Sequence, residues 1–299
     1  VFSGNTANTP QLVFNNTDTP GAPLYSFDVD GNGFNDFVSI VFGGSTRSLF
    51  NLNRNFGSGS FGDVEFISSI DDSEIQALNV GSPLNFTVGS FNGDTIKDIL
   101  AVVLTGSGND TSLALALFTG NGDGGFNNPA SINLISDDLF LGEFAFEEPS
   151  KEIAFGDFDG DGDNDVAMTS TTSFVQIFLN NGAGQFTAAQ RVQVGNKPIH
   201  VRVADFDNDG IDDLVSVNAN SRTVVVSLGN GDGTFADITD TSGRAISIQL
   251  DGEVDLFDMD VVDLNADGFP DIIIAEDGTN PPDTGRGSIQ ILLTPGRQQ

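Results

Sequence analysis

A nine-residue acidic pattern recurs five times along the chain and constrains its fold more than any other feature. Each copy has Asp or Asn at positions 1, 3, 5 and 9, except that the second copy begins with Ser90. Four of the five copies have Gly at position 6. The copies begin at residues 28, 90, 157, 205 and 263, so successive starts lie 48 to 67 residues apart. Repetition at this spacing indicates a chain built from supersecondary units of one kind.

The flanks of the acidic copies predict the structure of the unit. A short alternating run precedes each copy, an apolar run follows it, and a third run ends in several units at a turn rich in Gly and Asn. A fourth, more polar run leads to the next unit. Short segments rich in β-branched residues and Phe, separated by Gly, Asn and Asp, are typical of strands and hairpins. We therefore predict that each unit is a four-stranded antiparallel sheet.

Five such sheets need an arrangement that hides their edges, and radial packing as a β-propeller provides one. We expect an all-β fold, a β-propeller of five four-stranded antiparallel blades in a single domain over residues 1–299. The last unit has only three runs, while the N-terminal region carries a spare one, so we expect an N-terminal strand at 11–15 to complete the last blade. The alternative is a fragment of a larger propeller. The blades are expected at about 24–70, 83–135, 152–194, 199–241 and 256–296.

The acidic loop itself predicts a cation site. Side-chain oxygens at positions 1, 3, 5 and 9 of a tight turn form an oxygen cage, and Ca²⁺ takes six to eight oxygen ligands in irregular geometry. An EF-hand loop begins in the same way but ends with Glu at position 12, where these copies have Ser39, Met168, Ser216 or Ile274.

We expect four or five Ca²⁺ ions, with weak or absent binding at the second copy, where Ser90 and Thr95 replace the first acid and the Gly. The alternative is an acidic turn solvated by water. The predicted ligands are Asp28, Asp30, Asn32, Asp36, Asn92, Asp94, Asp98, Asp157, Asp159, Asp161, Asp165, Asp205, Asp207, Asp209, Asp213, Asp263, Asn265, Asp267 and Asp271.

The pattern D-x-D-x-D-G-x-x-D between strands, followed by a hairpin such as GNGDGTF, resembles the FG-GAP/VCBS repeat family, which includes the integrin α-chain propeller. The resemblance covers residues 24–296 approximately. It implies a calcium-bearing β-propeller, usually extracellular, that serves adhesion or glycan binding or stands beside an enzyme. The better-known members have about seven blades, so a count of five departs from the family pattern.

A second set of polar residues lies three or five positions before the acidic copies. Innermost propeller strands line the central channel, so we expect these side chains to converge at or near it. They form either a solvated channel wall or a ligand pocket. The carboxylates among them leave open a glycoside hydrolase or polysaccharide lyase, which needs two suitably spaced acids. The set comprises Tyr25, Glu152, His200, Arg202, Asp258 and Asp260.

Charge and composition exclude several classes of function. With 43 acidic and 11 basic residues, the formal net charge is −32, which opposes binding to nucleic acid or to an anionic membrane. The chain has no Cys, and no apolar run approaches the ~18 residues of a membrane span. We expect a secreted or cell-surface calcium-binding propeller whose partner is a glycan or a cell-surface protein. The alternatives are the enzyme above and a structural subunit of a surface layer or filament.

Overall fold

The computed structural model describes residues 2–4, 10–12, 24–40, 48–57, 61–62, 65–69, 80–105, 112–129, 132–135, 152–237, 245–250, 255–277 and 287–294. These residues form 21 strands and contain no helix. None of the described segments is therefore a helix of the length and hydrophobicity that crossing a membrane requires. The chain divides into two compact units, residues 1–137 and 138–299.

The first unit contains two four-stranded blades and an N-terminal hairpin. In each blade the strands follow one another in chain order and pair antiparallel, as in a meander. The hairpin comprises β1 (Phe2–Gly4) and β2 (Pro10–Leu12). Blade 1 comprises β3 (Leu24–Phe27), β4 (Asp36–Ile40), β5 (Ser48–Asn53) and β6 (Glu65–Ser69). Blade 2 comprises β7 (Val80–Gly89), β8 (Asp98–Thr105), β9 (Ser112–Phe118) and β10 (Ile132–Leu134).

The second unit contains three blades of the same antiparallel order, and the last of them has three described strands. Blade 3 comprises β11 (Ile153–Gly156), β12 (Asp165–Thr169), β13 (Phe174–Asn180) and β14 (Phe186–Gln193). Blade 4 comprises β15 (Pro198–Ala204), β16 (Asp213–Asn218), β17 (Thr223–Ser227) and β18 (Ala245–Gln249). Blade 5 comprises β19 (Asp255–Val262), β20 (Asp271–Asp277) and β21 (Ser288–Leu292).

These sheets confirm the all-β class and the five β-propeller blades that the repeats predict. The N-terminal strand differs from the prediction, because Gln11 and Leu12 pair with Ser3 and Phe2 and not with the last blade. A partner a few residues away costs less loop-closure entropy than one at the other end of the chain. Residues 13–15 lie outside the described residues. That the whole chain forms a single domain stays a prediction.

The core lies between neighbouring blades of each unit, because blade strands are buried on both faces. In β16, Leu214 packs into the cluster shared with blade 3, while the next residue, Val215, packs into the cluster shared with blade 5. Alternate side chains of a strand point to opposite faces. Blade 4 therefore has apolar residues at consecutive positions. In the first unit, Phe50 packs edge-on against Phe86 and Phe118 at centroid distances of 5.5 and 5.2 Å.

Candidate functional site

Every acidic copy lies in the same place, the loop between the first and second strand of its blade. We call these loops 1 to 5, at residues 28–36, 90–98, 157–165, 205–213 and 263–271. In each loop, position 9 is also the first residue of the second strand of the blade. The five candidate sites are therefore attached directly to the best buried strands of the fold.

The backbone of the loop turns in the left-handed region at two positions. Position 6 has positive φ in four loops, with values of 85° to 92° at Gly33, Gly162, Gly210 and Gly268. The Gly at position 6 was predicted from the sequence to allow a sharp turn. Position 4 was not predicted to need one, yet it has positive φ in all five loops. The overlooked signal is the Gly or Asn at position 4 in four of the five copies. The position-4 residues are Gly31, Gly93, Gly160, Asn208 and Ala266, with φ of 61° to 79°.

The position-1 aspartate holds this turn through backbone hydrogen bonds. The two carboxylate oxygens of Asp28 accept the amide protons of Asn32 and Gly33 at 3.1 and 2.7 Å. Asp205 and Asp263 accept the corresponding pair of amides, and Asp157 accepts those of positions 4 and 6. In loop 2 the hydroxyl of Ser90 instead donates to the carbonyl of Asp94. Loop 2 therefore closes without a first carboxylate.

The position-9 aspartate is a structural bridge as well as a predicted ligand. In blade 3, one oxygen of Asp165 accepts the amide proton of Phe158 at 2.9 Å, and the other accepts that of Asn180 at 2.8 Å. The same two bonds join position 2 and the residues at or just after the end of the third strand in all five blades. We call this arrangement the position-9 bridge. Its aspartates are Asp36, Asp98, Asp165, Asp213 and Asp271, each at most 1% exposed.

Burial is the largest influence on the pKa of four of these bridging groups, Asp36, Asp98, Asp165 and Asp213. It raises the pKa of Asp165 and Asp213 to about 6, although the backbone amides that each accepts act in the opposite direction. Neighbouring loop aspartates raise the pKa of both groups further. A cation beside these carboxylates would favour their ionised form. The loops therefore gather negative charge that a bound cation would balance.

The donor atoms fit a hard divalent cation. In loops 1, 3 and 4, carboxylate oxygens at positions 1, 3 and 9 lie within 4.8 Å of one another. Each carboxylate oxygen has two lone pairs, so an oxygen that accepts an amide proton keeps a second site for a metal. An all-oxygen set of this kind suits Ca²⁺ and offers no nitrogen or sulfur to a softer metal. The three convergent groups are Asp28, Asp30 and Asp36; Asp157, Asp159 and Asp165; and Asp205, Asp207 and Asp213.

Loops 2 and 5 differ because position 3 is an asparagine. The amide of Asn92 donates to Asp94 at 3.0 Å, and the amide of Asn265 donates to Asp267 at 3.1 Å. These bonds tie positions 3 and 5 to each other. In loop 1 the position-5 residue, Asn32, donates its side-chain amide to the carbonyl of Asn55 at 3.0 Å. At positions 5 of loops 3 and 4, Asp161 and Asp209 accept the amide protons of Asp163 and Ile211.

Four of the six residues in the second polar set meet in the second unit. Glu152, just before β11, accepts the amide proton of Val201 at 3.0 Å and lies 2.9 Å from Nδ1 of His200. Arg202 donates to the other oxygen of Glu152. Nη2 of Arg202 lies 3.7 Å from Oδ1 of Asp258. The glutamate of blade 3 thus joins the innermost strand of blade 4, and Arg202 extends the contact to blade 5.

The acidity of Glu152 opposes a role as general acid. Burial alone would raise the pKa of Glu152, but the hydrogen bond from His200 and the charges of Arg202 and His200 lower it below its ordinary value. A glycosidase acid needs a raised pKa. Glu152 is instead an ionised acceptor whose two oxygens are both in use.

The other two residues of this set lie elsewhere. The ring of Tyr25 packs against Phe86 in the first unit, with a centroid distance of 4.6 Å. Asp260 is exposed, and its carboxylate accepts the amide proton of Val261. The register of strand pairing shifts next to His200 and Asp258, where Ile199 and Phe257 interrupt the pairing. These shifts were not predicted from the sequence. Bulges of this kind redirect the following side chains.

The fold and these loops define a chain of β-propeller blades, and a family model adds their type. The model of FG-GAP-like repeats matches residues 157–216 and 205–274. These residues include loops 3, 4 and 5. The predicted FG-GAP resemblance is confirmed for this part of the chain. No curated protein sequence matches the chain.

Two solved structures illustrate the structural comparison. A Tc holotoxin pore of Photorhabdus luminescens is 18% identical with a TM-score of 0.48, and the match covers 95% of this chain and 12% of the toxin chain. BBS1N, solved in complex with ARL6DN and soaked with lead, is 11% identical with a TM-score of 0.44, and the match covers 85% of this chain and 76% of the other. This chain thus spans about an eighth of the toxin chain, and likeness at this level carries no argument.

Proposed function

We propose that this protein is an extracellular calcium-binding recognition module, secreted or displayed at the cell surface, whose partner is a glycan or a cell-surface protein. The observation that carries this proposal is the same oxygen-lined loop in all five blades, with three carboxylates in contact range in three of them. FG-GAP repeats are typical of extracellular and surface proteins. The alternative of a glycoside hydrolase or polysaccharide lyase draws no support from Glu152, because its pKa is lowered.

The residues at positions 1, 3, 5 and 9 of each loop would hold Ca²⁺. When bound, the ion supplies positive charge that neutralises the mutual repulsion of the carboxylates. Loops 3 and 4 carry five aspartates each, so this repulsion is greatest there. A ligand that binds only the native state stabilises that state. Calcium would therefore rigidify the loops through which each blade begins its second strand.

The proposed location agrees with the chemistry of the loops. Extracellular calcium modules bind with Kd of about 10⁻⁴–10⁻³ M, because calcium outside cells is abundant. The loops here are short and mostly exposed at positions 4 to 6, which favours binding in that weaker range. The net charge of −32 favours cations and opposes polyanionic partners.

Ion counting tests the metal part of this proposal. Native mass spectrometry in millimolar calcium should find four or five ions on the wild-type chain and one fewer on Asp159→Ala, which removes the position-3 oxygen of loop 3. The matched control is Asp232→Ala, which changes an exposed hairpin aspartate outside the loops. Absence of bound calcium from the wild type, or an equal count in Asp159→Ala, contradicts the proposal.

Binding arrays test the recognition part. The wild-type chain should bind at least one glycan or surface protein in calcium, and a chelator should abolish that binding. The Asp159→Ala variant should bind the same partner but need more calcium to do so. A calcium-loaded chain that binds no member of either array would contradict recognition while leaving calcium binding intact.

A further inference from the structure

Loop 3 is in contact with blade 4 as well as with its own blade. The backbone carbonyl of Phe158, at position 2 of loop 3, accepts the amide proton of Gly233 at 2.8 Å. Gly233 belongs to the hairpin at 229–235 that follows β17, and its φ is +80°. A Cβ on Gly233 would lie 2.9 Å from Leu179 of blade 3. The hairpin of blade 4 therefore approaches loop 3 as closely as a glycine permits.

A carboxylate of loop 4 makes a second contact with loop 3. Oδ2 of Asp212, at position 8 of loop 4, accepts the amide proton of Asp157 at 3.1 Å. Asp157 is the first predicted ligand of loop 3, and Asp213, next to Asp212, is the closing ligand of loop 4. The neighbouring residues Asp212 and Asp213 therefore act on different loops. Asp213 closes loop 4, while Asp212 holds the start of loop 3.

Only loop 4 of the five loops has an acid at position 8. The equivalent residues are Asn35, Lys97, Asn164 and Pro270, and none of them is an acid. Between blades 1 and 2 an arginine, Arg54 of blade 1, connects loop 1 with the hairpin of blade 2. It contacts Asp30 of loop 1 at 3.4 Å and donates to the carbonyl of Gly124 at 2.6 Å. Gly124 occupies the hairpin position that corresponds to Gly233. The contact between Asp212 and Asp157 is thus particular to loops 3 and 4.

We propose that Asp212 is a positioning residue that couples the two cation sites of loops 3 and 4, so that an ion in either loop raises the affinity of the other. This inference rests on the proposed calcium binding. An ion in loop 4 orders Asp213 and therefore Asp212, which holds the backbone of Asp157 in the arrangement that the structure describes. The negative charge of Asp212 lies between the two sites and attracts both cations. Coupling between binding sites is reciprocal, so loop 3 acts on loop 4 by the same factor.

Hydrogen exchange with mass spectrometry tests the coupling, because it follows the peptides of each loop separately over a calcium titration. Asp207→Ala should remove the calcium-dependent protection of loop 4 and raise the midpoint of loop 3 by about two- to tenfold, the effect of one lost hydrogen bond. The matched control Asp267→Ala disables loop 5 and should leave the midpoint of loop 3 unchanged.

Variants of Asp212 test whether the coupling depends on the Asp212 side chain. In Asp212→Ala the midpoints of both loops should rise, and adding Asp207→Ala should not raise the midpoint of loop 3 further. Asp212→Asn keeps an acceptor oxygen for the amide of Asp157 and should restore part of the coupling. Asn35→Ala, at the same position of loop 1, should change neither midpoint.

Two results would overturn the inference. One is a loop 3 midpoint that is unchanged in Asp207→Ala although loop 4 has lost its protection. The other is an effect of Asp207→Ala on the loop 3 midpoint that persists undiminished when Asp212→Ala is also present. If calcium protects neither loop in the wild type, calcium binding itself fails, and the inference fails with it.

Discussion

At the scale of the residue, position 4 is set by backbone conformation and not by metal ligation. Its side chain is no predicted ligand, yet its φ is positive in all five loops. In the left-handed region an L-residue with a Cβ is strained, whereas glycine is not. Four copies satisfy this with Gly or Asn, and Ala266 in loop 5 does not.

Replacing Ala266 with glycine should stabilise the protein. The side chain is exposed and its φ is 61°, so the change relieves strain and removes no buried contact. We expect a gain of about 0.5–1 kcal/mol in the free energy of unfolding, since the relief of strain exceeds the added freedom of the unfolded chain. Urea denaturation of Ala266→Gly against wild type measures it.

The reverse change in loop 1 is the matched control. Gly31 has φ of +72° and open space where a Cβ would lie, so Gly31→Ala adds strain without a clash. It should cost about 1 kcal/mol. A loss of stability in Ala266→Gly, or a gain in Gly31→Ala, would contradict the left-handed conformation of position 4.

At the scale of the element, the position-9 bridge joins three separate segments of each blade. It also gives a structural role to the aspartate of the second loop, which has no acid at position 1. Asp98 accepts the amide protons of Phe91 and Gly120 at 2.9 Å each and is fully buried. The sequence predicted this residue as a calcium ligand only. The structure adds a role that requires no ion.

The Asp98→Ala variant isolates that role, because loop 2 is the loop predicted to bind calcium weakly or not at all. The change leaves two buried amide groups without an acceptor, each worth about 1–3 kcal/mol. We expect a loss of about 2 kcal/mol or more in the free energy of unfolding, equal with calcium and with a chelator. The control Asp94→Ala also removes two hydrogen bonds, but at an exposed site where water replaces them, and should cost much less.

The contact between blades 3 and 4 through Glu152 should depend on pH. Its pKa is lowered in the folded state, so its stabilising contribution is complete above about 4.5 and is lost as the pH falls through the lower folded value. The difference in unfolding free energy between wild type and Glu152→Gln should therefore shrink between pH 5 and pH 3. Urea denaturation across that range measures it, and a difference that grows toward pH 3 would mean that Glu152 is protonated in the fold.

At the scale of the whole molecule, the sequence predicted what is local and repeated. The loops, the hairpins and the strand order within a blade follow from nearby residues, and the five copies agree with one another. The choice of partner for the N-terminal strand is different, because several strand edges compete for the same backbone groups and residue pattern does not distinguish them. The bulges beside His200 and Asp258 were not predicted from the sequence either, since they depend on the pairing register of β15 and β19.

The central claim is that the acidic loops, four or five of them, are calcium sites that stabilise the fold. Thermal unfolding of the wild-type chain in millimolar calcium, repeated with excess chelator, tests this most directly. At a Kd of about 10⁻⁴–10⁻³ M, each occupied site adds about 0.4–1.4 kcal/mol in millimolar calcium, so chelation should lower the Tm by roughly 3 °C or more. An unchanged Tm in calcium and in chelator would mean that the loops are solvated acidic turns that bind no calcium.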